Sequence, residues 1–128
     1  MFMNQKIQFI IKGIPELKAM LKRKDELAMQ KAREALMKTG QYMMDQIKLS
    51  INNGVNAAQA VKTGKFRDST KWIVKDFTAI IYNDVPYAHT IEYRGWSPNN
   101  PARPHFRNTL FVEKDNITKY FKNKIKEI

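Results

Sequence analysis

The two histidines, His89 and His105, are the side chains of this sequence best suited to acid–base or metal chemistry, because imidazole titrates near neutral pH. His89 and Glu92 stand in an H-x-x-E spacing, which on a helix would place an imidazole and a carboxylate on one face. A metal site would need a third ligand, and none stands close by in the sequence. His105 lies between Pro104 and Phe106, and we expect it to pack against the adjoining loop.

Nucleophilic catalysis and phosphate binding find equally little support. Ser69 could join His89 and an aspartate, but such a trio can be picked from almost any chain, so it carries no weight. The tripeptide at 63–65 is only a fragment of a phosphate-binding loop, which needs the full G-x-x-x-x-G-K-[ST] pattern. The chain has no cysteine, which excludes disulfides and thiolate metal sites. We therefore predict a protein that is not an enzyme and has no catalytic residue, metal or cofactor.

A basic stretch, "VKTGKFRDSTKWIVK" at 61–75, offers a different kind of chemistry. If residues 65–75 form a strand, alternate side chains share one face. The cations on that face are Lys65, Arg67, Lys71 and Lys75. Such a stripe can contact phosphates, or it can be the solvated face of a half-buried strand. No helix-turn-helix, zinc-finger or RNP-type motif accompanies it, so base-specific recognition is not expected.

Length and composition indicate one globular domain spanning residues 1–128. The chain has 128 residues, of which 43% are apolar and 27% charged, and this argues against wholesale disorder. The net charge of +11 is spread over both halves and favours polyanions or acidic protein partners. No apolar run approaches the roughly 18 residues that a membrane span needs, and the start lacks the features of a signal peptide. A cytoplasmic location is the expectation.

The hydrophobic pattern of the first half predicts a strand and then a long helical region. Residues 4–12 partly alternate between apolar and polar side chains. From residue 16 to 52 the apolar residues recur at helical spacing, which predicts one amphipathic helix or two in series. Gly40 would mark a bend or a close contact there, and "NNG" at 52–54 is a plausible cap. Residues 54–62 follow as a loop or a short helical turn.

The second half predicts strands followed by a final helix. Residues 65–75 and 77–83 are typical of two strands joined as a hairpin through "KDF". Residues 87–93 suit either a strand or one helical turn, and 94–104 are a loop on their Pro, Gly and Asn content. Helical spacing resumes at about residue 105. The predicted fold is α+β, with an antiparallel β-sheet packed against a long N-terminal helix and a C-terminal helix.

Three segments resemble one family when taken in order. "KTGKFRDST" at 62–70 resembles a Thr-Gly-x-Leu-Arg-x-Ser-[Ile/Val] signature. "YAHTIEYRG" at 87–95 is similar to Tyr-Ala-x-x-[Val/Ile]-Glu-[Phe/Tyr]-Gly, and "RPHFRNTL" at 103–110 to Arg-Pro-Phe-[Leu/Phe]-Arg-Pro-Ala-Leu. With the long helix before them, they resemble the head–tail joining (tail-completion, or neck) proteins of long-tailed bacteriophages and prophages, often called minor tail proteins. The likeness covers most of the chain, from about Leu17 to the C-terminal helix.

The residues that carry these motifs are expected to be mainly structural. They are Thr63, Gly64, Arg67, Ser69, Tyr87, Ala88, Glu92, Gly95, Arg103, Pro104 and Arg107. Gly64 gives the backbone freedom for a turn from the helix into the sheet. A buried Glu92 would need a cationic partner, and Arg67 and Arg107 are the two candidates.

The departures from the family pattern fall in loops and edges that would meet partners. Phe66 replaces the usual Leu, Thr70 a β-branched apolar residue, and Asn108-Thr109 the usual Pro-Ala. Arg94 looks like an insertion before the glycine, and Trp96 stands where Thr is common. Exposed Trp and Arg are typical interface anchors, so Arg94 and Trp96 are the candidate partner contacts.

The resemblance implies a structural protein of the virion neck or tail, made in the bacterial host cytoplasm and without a membrane partner. It would join the head to the tail and assemble into or onto a ring around the DNA channel. The implied partners are other virion proteins on the connector or portal side and on the tail-tube or terminator side, further copies of itself, and the genome DNA, contacted nonspecifically. Lys65, Arg67, Lys71 and Lys75 are the candidate DNA-facing residues. The alternative is a basic, sequence-nonspecific DNA-binding module.

Overall fold

The computed structural model describes residues 7–11, 14–23, 25–58 and 64–127. In chain order their elements are β1 (Ile7–Ile11), α1 (Pro15–Arg23), α2 (Glu26–Asn53), α3 (Lys65–Asp68), β2 (Lys71–Lys75), β3 (Thr78–Asn83), a π-helical turn (Thr90–Arg94) and α4 (His105–Glu127). The three strands form one antiparallel sheet, and α2 packs against both the sheet and α4. The predicted α+β class is confirmed. Residues 4–6, 12, 59–62 and Thr63, which the sequence placed in strand, loop and turn, lie outside the described residues.

The long helical region is two helices in series, the second of the alternatives that its pattern allowed. The break comes at Asp25, whose backbone is extended and whose side chain accepts a hydrogen bond from Leu27 N at 2.9 Å. An aspartate in this position satisfies a free N–H of the first turn, so it starts α2. At the other end Gly54 takes the left-handed conformation, with φ 68° and ψ 37°, and its N–H donates to Ser50 O. The predicted cap is confirmed.

Gly40 marks a close contact rather than a bend, since α2 runs unbroken through it. A Cβ at this position would lie 3.1 Å from Cε3 of Trp72, so the missing side chain lets the indole approach the helix. The indole Nε1 donates to Gln41 Oε1 at 2.9 Å. Trp72 is therefore the contact that seats β2 against α2.

The sheet has the order β1-β3-β2, and its two faces differ sharply. The inner face carries Ile7, Phe9, Ile11, Trp72, Val74, Ala79, Ile81 and Asn83. Ile7, Ile11, Ala79 and Ile81 are buried in the core. On the outer face Ile80 stands directly opposite both Ile10 and Ile73, which are each 44% exposed. The alternation predicted for β1 is thus confirmed, because burial has period two along the strand.

The predicted hairpin is present but shorter than expected. β2 and β3 are joined by Asp76 and Phe77, both with positive φ (51° and 58°). Two central residues of this kind make a turn whose twist matches that of the strands. Arg33 of α2 lies over the Phe77 ring, 5.2 Å from its centroid, and this contact holds the turn against the helix layer.

The prediction of a strand from residue 65 to 75 is wrong for its first half. Residues 65–68 form the single helical turn α3, and the strand begins only at Lys71. Long-range hydrogen bonds decide this, since Asn83 Nδ2 donates to Phe66 O at 2.6 Å and to Thr70 Oγ1 at 3.2 Å. Thr70 Oγ1 in turn donates to Phe66 O. The buried amide at the end of β3 therefore holds the turn closed.

None of the helices among the described residues is long and apolar enough to cross a membrane.

Candidate functional site

Glu92 is the centre of the best-connected polar cluster among the described residues. Its side chain is fully buried, yet both oxygens accept hydrogen bonds from the start of α4. Oε1 accepts from Phe106 N at 2.9 Å, and Oε2 accepts from the backbone N and the Nε of Arg107 at 2.9 and 3.0 Å. A carboxylate from a distant segment thus caps the helix. Of the two partners considered for Glu92, Arg107 is confirmed.

The electrostatics of this cap are a balance between burial and hydrogen bonding. Burial raises the pKa of the Glu92 carboxyl, while the hydrogen bonds from Arg107 and Phe106 work against that rise. The carboxylate also lies at the positive end of the α4 dipole, where negative charge is favoured. Arg107 Nη2 donates to the Glu92 carbonyl oxygen as well, so one arginine fixes both the side chain and the backbone of the π-helical turn.

The three motif segments meet at the first turn of α4. Phe106 is fully buried there, with its ring centroid 6.3 Å from that of Phe66 and 5.8 Å from that of Phe9. Arg103 N donates to Ile91 O at 2.6 Å, which ties the third segment to the second. Segments far apart in the sequence therefore form one connected group around Phe66, Ile91, Glu92 and Phe106, which we call the support. Their arrangement agrees with mainly structural roles for the motif.

Arg67 fastens the first motif segment to the end of α2. Its Nε donates to Asp68 Oδ1 at 2.8 Å and its Nη1 to Asn52 Oδ1 at 2.6 Å. Gly64 has φ 76°, and a Cβ there would lie 2.7 Å from Arg67 Nη2. The glycine therefore serves both the left-handed turn and the seating of the guanidinium.

The remaining motif residues hold their segments through backbone contacts. Ser69 follows α3 and donates its N–H to Lys65 O at 2.9 Å. The carbonyl of Tyr87 accepts from Ile91 N at 3.1 Å, while Ala88 is fully buried. Pro104 precedes α4, and its carbonyl accepts from Asn108 N at 3.0 Å. Residues 88–94 are helical, so the segment 87–93 follows the second of its two predicted alternatives, whereas Arg94, predicted as loop, ends the π-helical turn.

Gly95 turns the chain out of the π-helical turn into a tight surface loop. Its φ of 71° and ψ of −179° belong to a region that other residues hardly enter. A Cβ here would lie 2.5 Å from Asn100 O and 2.5 Å from Pro101 C. The loop closes on itself, because Trp96 N donates to Asn100 O at 2.9 Å and Asn100 N to Ser97 O at 2.9 Å. Its conformation is thus set by the backbone.

This loop presents an exposed group of aromatic and basic side chains. We call Tyr93, Arg94, Trp96 and Arg107 the Trp96 patch. Tyr93 is 41% and Trp96 55% exposed, and the Arg107 guanidinium lies over the Tyr93 ring, 4.5 Å from its centroid. Arg94 is exposed, and its side chain has no hydrogen bond or ion pair with any described residue. Trp, Tyr and Arg are the residues that most often anchor protein interfaces. Arg94 and Trp96 were predicted from the sequence as partner contacts and Tyr93 was not, although its aromatic ring stands beside them in the chain.

The H-x-x-E pair does not form a joint site. The His89 ring packs on the Tyr93 ring, with centroids 4.8 Å apart, while the Glu92 carboxylate is used entirely by α4. Among the described ranges no group of three His, Asp or Glu side chains is placed to hold a metal ion. The two side chains instead belong to different places. His89 contacts Tyr93 of the Trp96 patch, whereas Glu92 is buried and caps the start of α4.

His105 is buried and makes two hydrogen bonds, a role that sequence analysis missed beyond expecting it to pack. Its Nε2 lies 2.8 Å from Ala58 O, and a carbonyl can only accept, so Nε2 carries the proton. Nδ1 then accepts from the Ser50 hydroxyl, 2.7 Å away. Burial lowers the pKa of the imidazole. Ser50 is only 1% exposed, so this serine–histidine pair joins α2 to α4 and faces no solvent.

The predicted basic stripe at 65–75 is not one surface. Lys65 and Arg67 lie on α3, and Arg67 is already bound to Asp68 and Asn52. Lys71 and Lys75 remain together on the outer face of β2, on either side of Ile73. Alternate side chains of 65–75 do not share one face, because residues 65–68 make a helical turn where a strand was predicted.

Comparisons with protein-family models, with curated proteins and with solved structures found no match for the chain.

Proposed function

We propose that this protein is a structural component of a long-tailed phage or prophage particle, joining the head to the tail. The observation that carries the proposal is the way in which the three motif segments converge. They form a bonded support under the first turn of α4, and that support presents the Trp96 patch at the surface. Rigid aromatic anchors lose little conformational freedom on docking, which suits a protein whose task is assembly.

In this proposal the protein assembles into or onto a ring around the DNA channel. A closed ring needs two different surfaces on each copy that fit one another. The Trp96 patch is one exposed surface, and the row of Ile10, Ile80 and Ile73 on the outer sheet face is another. Neighbours on the connector or portal side and on the tail-tube or terminator side would use the same kinds of surface. Genome DNA would pass through the ring without sequence-specific contacts.

Light scattering on the purified protein at low and at moderate salt, with and without short duplex DNA, tests the proposal first. We expect a ring whose mass is insensitive to salt, or a monomer that is indifferent to duplex. Trp96→Ala should shift a ring toward monomer while leaving the circular dichroism spectrum unchanged. Leu27→Ala is the matched control, because Leu27 is also an exposed apolar side chain (58%) but lies at the start of α2, outside the patch.

A different result would favour the alternative function. A monomer that binds duplex tightly at low salt and releases it at moderate salt, with Trp96→Ala behaving as wild type, indicates a nonspecific DNA-binding module. A ring that survives Trp96→Ala would keep the assembly function but remove the patch from the contact between copies.

A further inference from the structure

The C-terminal half of α4 carries a row of lysines that the fold does not use. Lys119, Lys122 and Lys126 follow one another at three- and four-residue steps, so they share one face of the helix. All three are exposed, and none of their side chains has a hydrogen bond or ion pair with a described residue. We call them the α4 lysine face. The two lysines of the outer sheet face, in contrast, stand on either side of an isoleucine.

The carboxylates near this face leave its positive charge largely uncompensated. Glu127 is paired with Lys124 at 3.0 Å. Glu113 lies six residues before Lys119, on a different side of the helix that faces Tyr42, whose hydroxyl donates to it at 2.6 Å. Asp115 lies one turn before Lys119 and is the carboxylate of α4 that remains on the same side. The face therefore keeps a net positive charge over its last two turns.

A fourth cation lies on the neighbouring helix. Tyr42 of α2 stacks on Tyr120 of α4, with ring centroids 4.4 Å apart, and Ser50 meets His105, so the two helices run antiparallel. Lys38 precedes Tyr42 by one turn and is exposed, which places it on the same flank of α2, toward the C-terminal end of α4. Glu34 stands one turn further away. Lys38 therefore adds one positive charge on α2 at the same end of the helix pair, and Glu34 lies beyond it.

We propose that the α4 lysine face binds the phosphate backbone of duplex DNA without reading its sequence. Seven residues of helix separate the first lysine from the last, about 10 Å, which corresponds to the rise of about three nucleotides of one strand. Lysine is a compact point charge that contacts phosphates in any orientation.

Duplex DNA fits this face better than an acidic protein does. Thr118 and Asn123 lie between the lysines, so the last two turns of the face carry no large exposed apolar side chain, while the exposed Phe111 and Val112 lie about two turns earlier on α4. Protein interfaces are depleted of lysine at their centres. The Trp96 patch has the opposite composition, aromatic and arginine-rich. The two surfaces therefore suit two different kinds of partner. The inference rests on the proposed function in its ring form, because duplex binding by a monomer is the result that favours the alternative function.

The test is duplex binding by the full chain with three charges reversed. The variant is Lys119→Glu, Lys122→Glu and Lys126→Glu together. Its control reverses Lys18, Lys22 and Arg23 on α1, which are exposed but lie between Glu16 and Asp25. Each triple change lowers the formal net charge by six, from +11 to +5, so overall charge cannot separate them. Circular dichroism checks that both variants fold.

Fluorescence anisotropy with a labelled duplex of about 20 base pairs, from about 50 to about 200 mM salt, gives the readout. We expect the α4 variant to lose affinity at least about tenfold at the lower salt, and its salt slope to fall by about two to three. The α1 control should lose less than about threefold. Equal losses in both variants, no loss in the α4 variant, or no duplex binding by wild type would each overturn the proposal.

Two further measurements distinguish a DNA-binding face from a face that binds protein. Poly-glutamate is used as a competitor at equal charge, and if it displaces the duplex as well as unlabelled duplex does, the face takes an acidic protein and the proposal is wrong. The mass of the α4 variant by light scattering should equal that of wild type. An altered mass with normal duplex binding would instead place the lysines in the assembly interface, which contradicts the DNA proposal but not the proposed function.

Discussion

The two ends of α4 use charged residues in opposite ways. At its start, Glu92 and Arg107 are joined by hydrogen bonds, and His105 is buried with both ring nitrogens satisfied. At its other end Lys119 and Lys122 are exposed and unpaired among the described residues. The start of the helix is therefore held by polar groups, whereas the end is held by apolar contacts such as Phe121, which is fully buried.

This difference shows how to tell a structural charge from one available to a partner. A buried charge costs free energy unless it is paired, so its partners belong to the fold. An exposed lysine costs little to leave unpaired and keeps its attraction for an anion. Changes at the start of α4 should therefore affect stability, and changes at its end should affect binding.

The largest effect is expected at Glu92. Glu92→Ala should lower the free energy of unfolding by about 3–5 kcal/mol, because it leaves Arg107 without its partner and two backbone N–H groups without an acceptor. Urea denaturation followed by circular dichroism measures the change. Asp115→Asn, an exposed carboxyl on the same helix, is the control and should leave the midpoint almost unaltered. Similar effects of the two variants would show that the cap is unimportant.

Gly95 should come next, because the loop that carries Trp96 depends on its backbone. Gly95→Ala should destabilise the protein by about 2–3 kcal/mol, since a Cβ would lie 2.5 Å from backbone atoms of the same loop. Thermal unfolding is the measurement. Gly54→Ala provides the control, as Gly54 has a similar φ of 68° but is exposed. An equal loss at both glycines would mean that left-handed strain alone, and not the close approach, sets the cost.

A smaller, pH-dependent effect is expected from His105. Its pKa in the folded protein is lowered, so the unfolded chain takes up the proton more readily. The free energy of unfolding should therefore fall as the pH drops below about 6.5. The raised pKa of Glu92 acts in the opposite sense, because the folded state then binds its proton more readily in acid.

NMR of the imidazole signals measures the ionisation of His105 separately from that of Glu92. The chain has only two histidines, and His89→Gln assigns their signals. We expect the His105 ring to stay neutral, with its proton on Nε2, below the pH at which a free imidazole ionises. Ionisation of His105 at or above about pH 6.5 would contradict the buried, neutral arrangement.

The smallest effect is expected at the end of α4. Lys122→Ala should change the free energy of unfolding by no more than about 0.5 kcal/mol in either direction, as is usual for an exposed side chain without partners. Urea titration beside Glu92→Ala measures both ends of the helix in one experiment. A loss above about 1 kcal/mol would remove the contrast between the two ends.

Local patterns predicted most elements, because burial imposes a period on the sequence. Apolar spacing identified the helices, alternation identified β1, and the glycine after "NN" ended α2. Helical spacing also placed the start of α4 correctly, at His105. Of the candidate site, Gly64 was recognisable as a turn residue, whereas Gly95 was selected only through the family resemblance; the role of Trp96 as an exposed anchor stays a prediction.

Long-range contacts decided the conformation of segments that local patterns left open or predicted wrongly. Residues 65–68 have strand-like residues around them, yet Asn83 holds them as a helical turn. Residues 87–93 suited two conformations, and the helical one allows Glu92 to reach the N–H groups of α4. The sequence by itself determined the helices, the sheet-forming segments and the positive charge. The tertiary structure decided which charges pair, because a buried carboxylate takes whichever cation the packed helices bring within hydrogen-bond distance, here Arg107 and not Arg67.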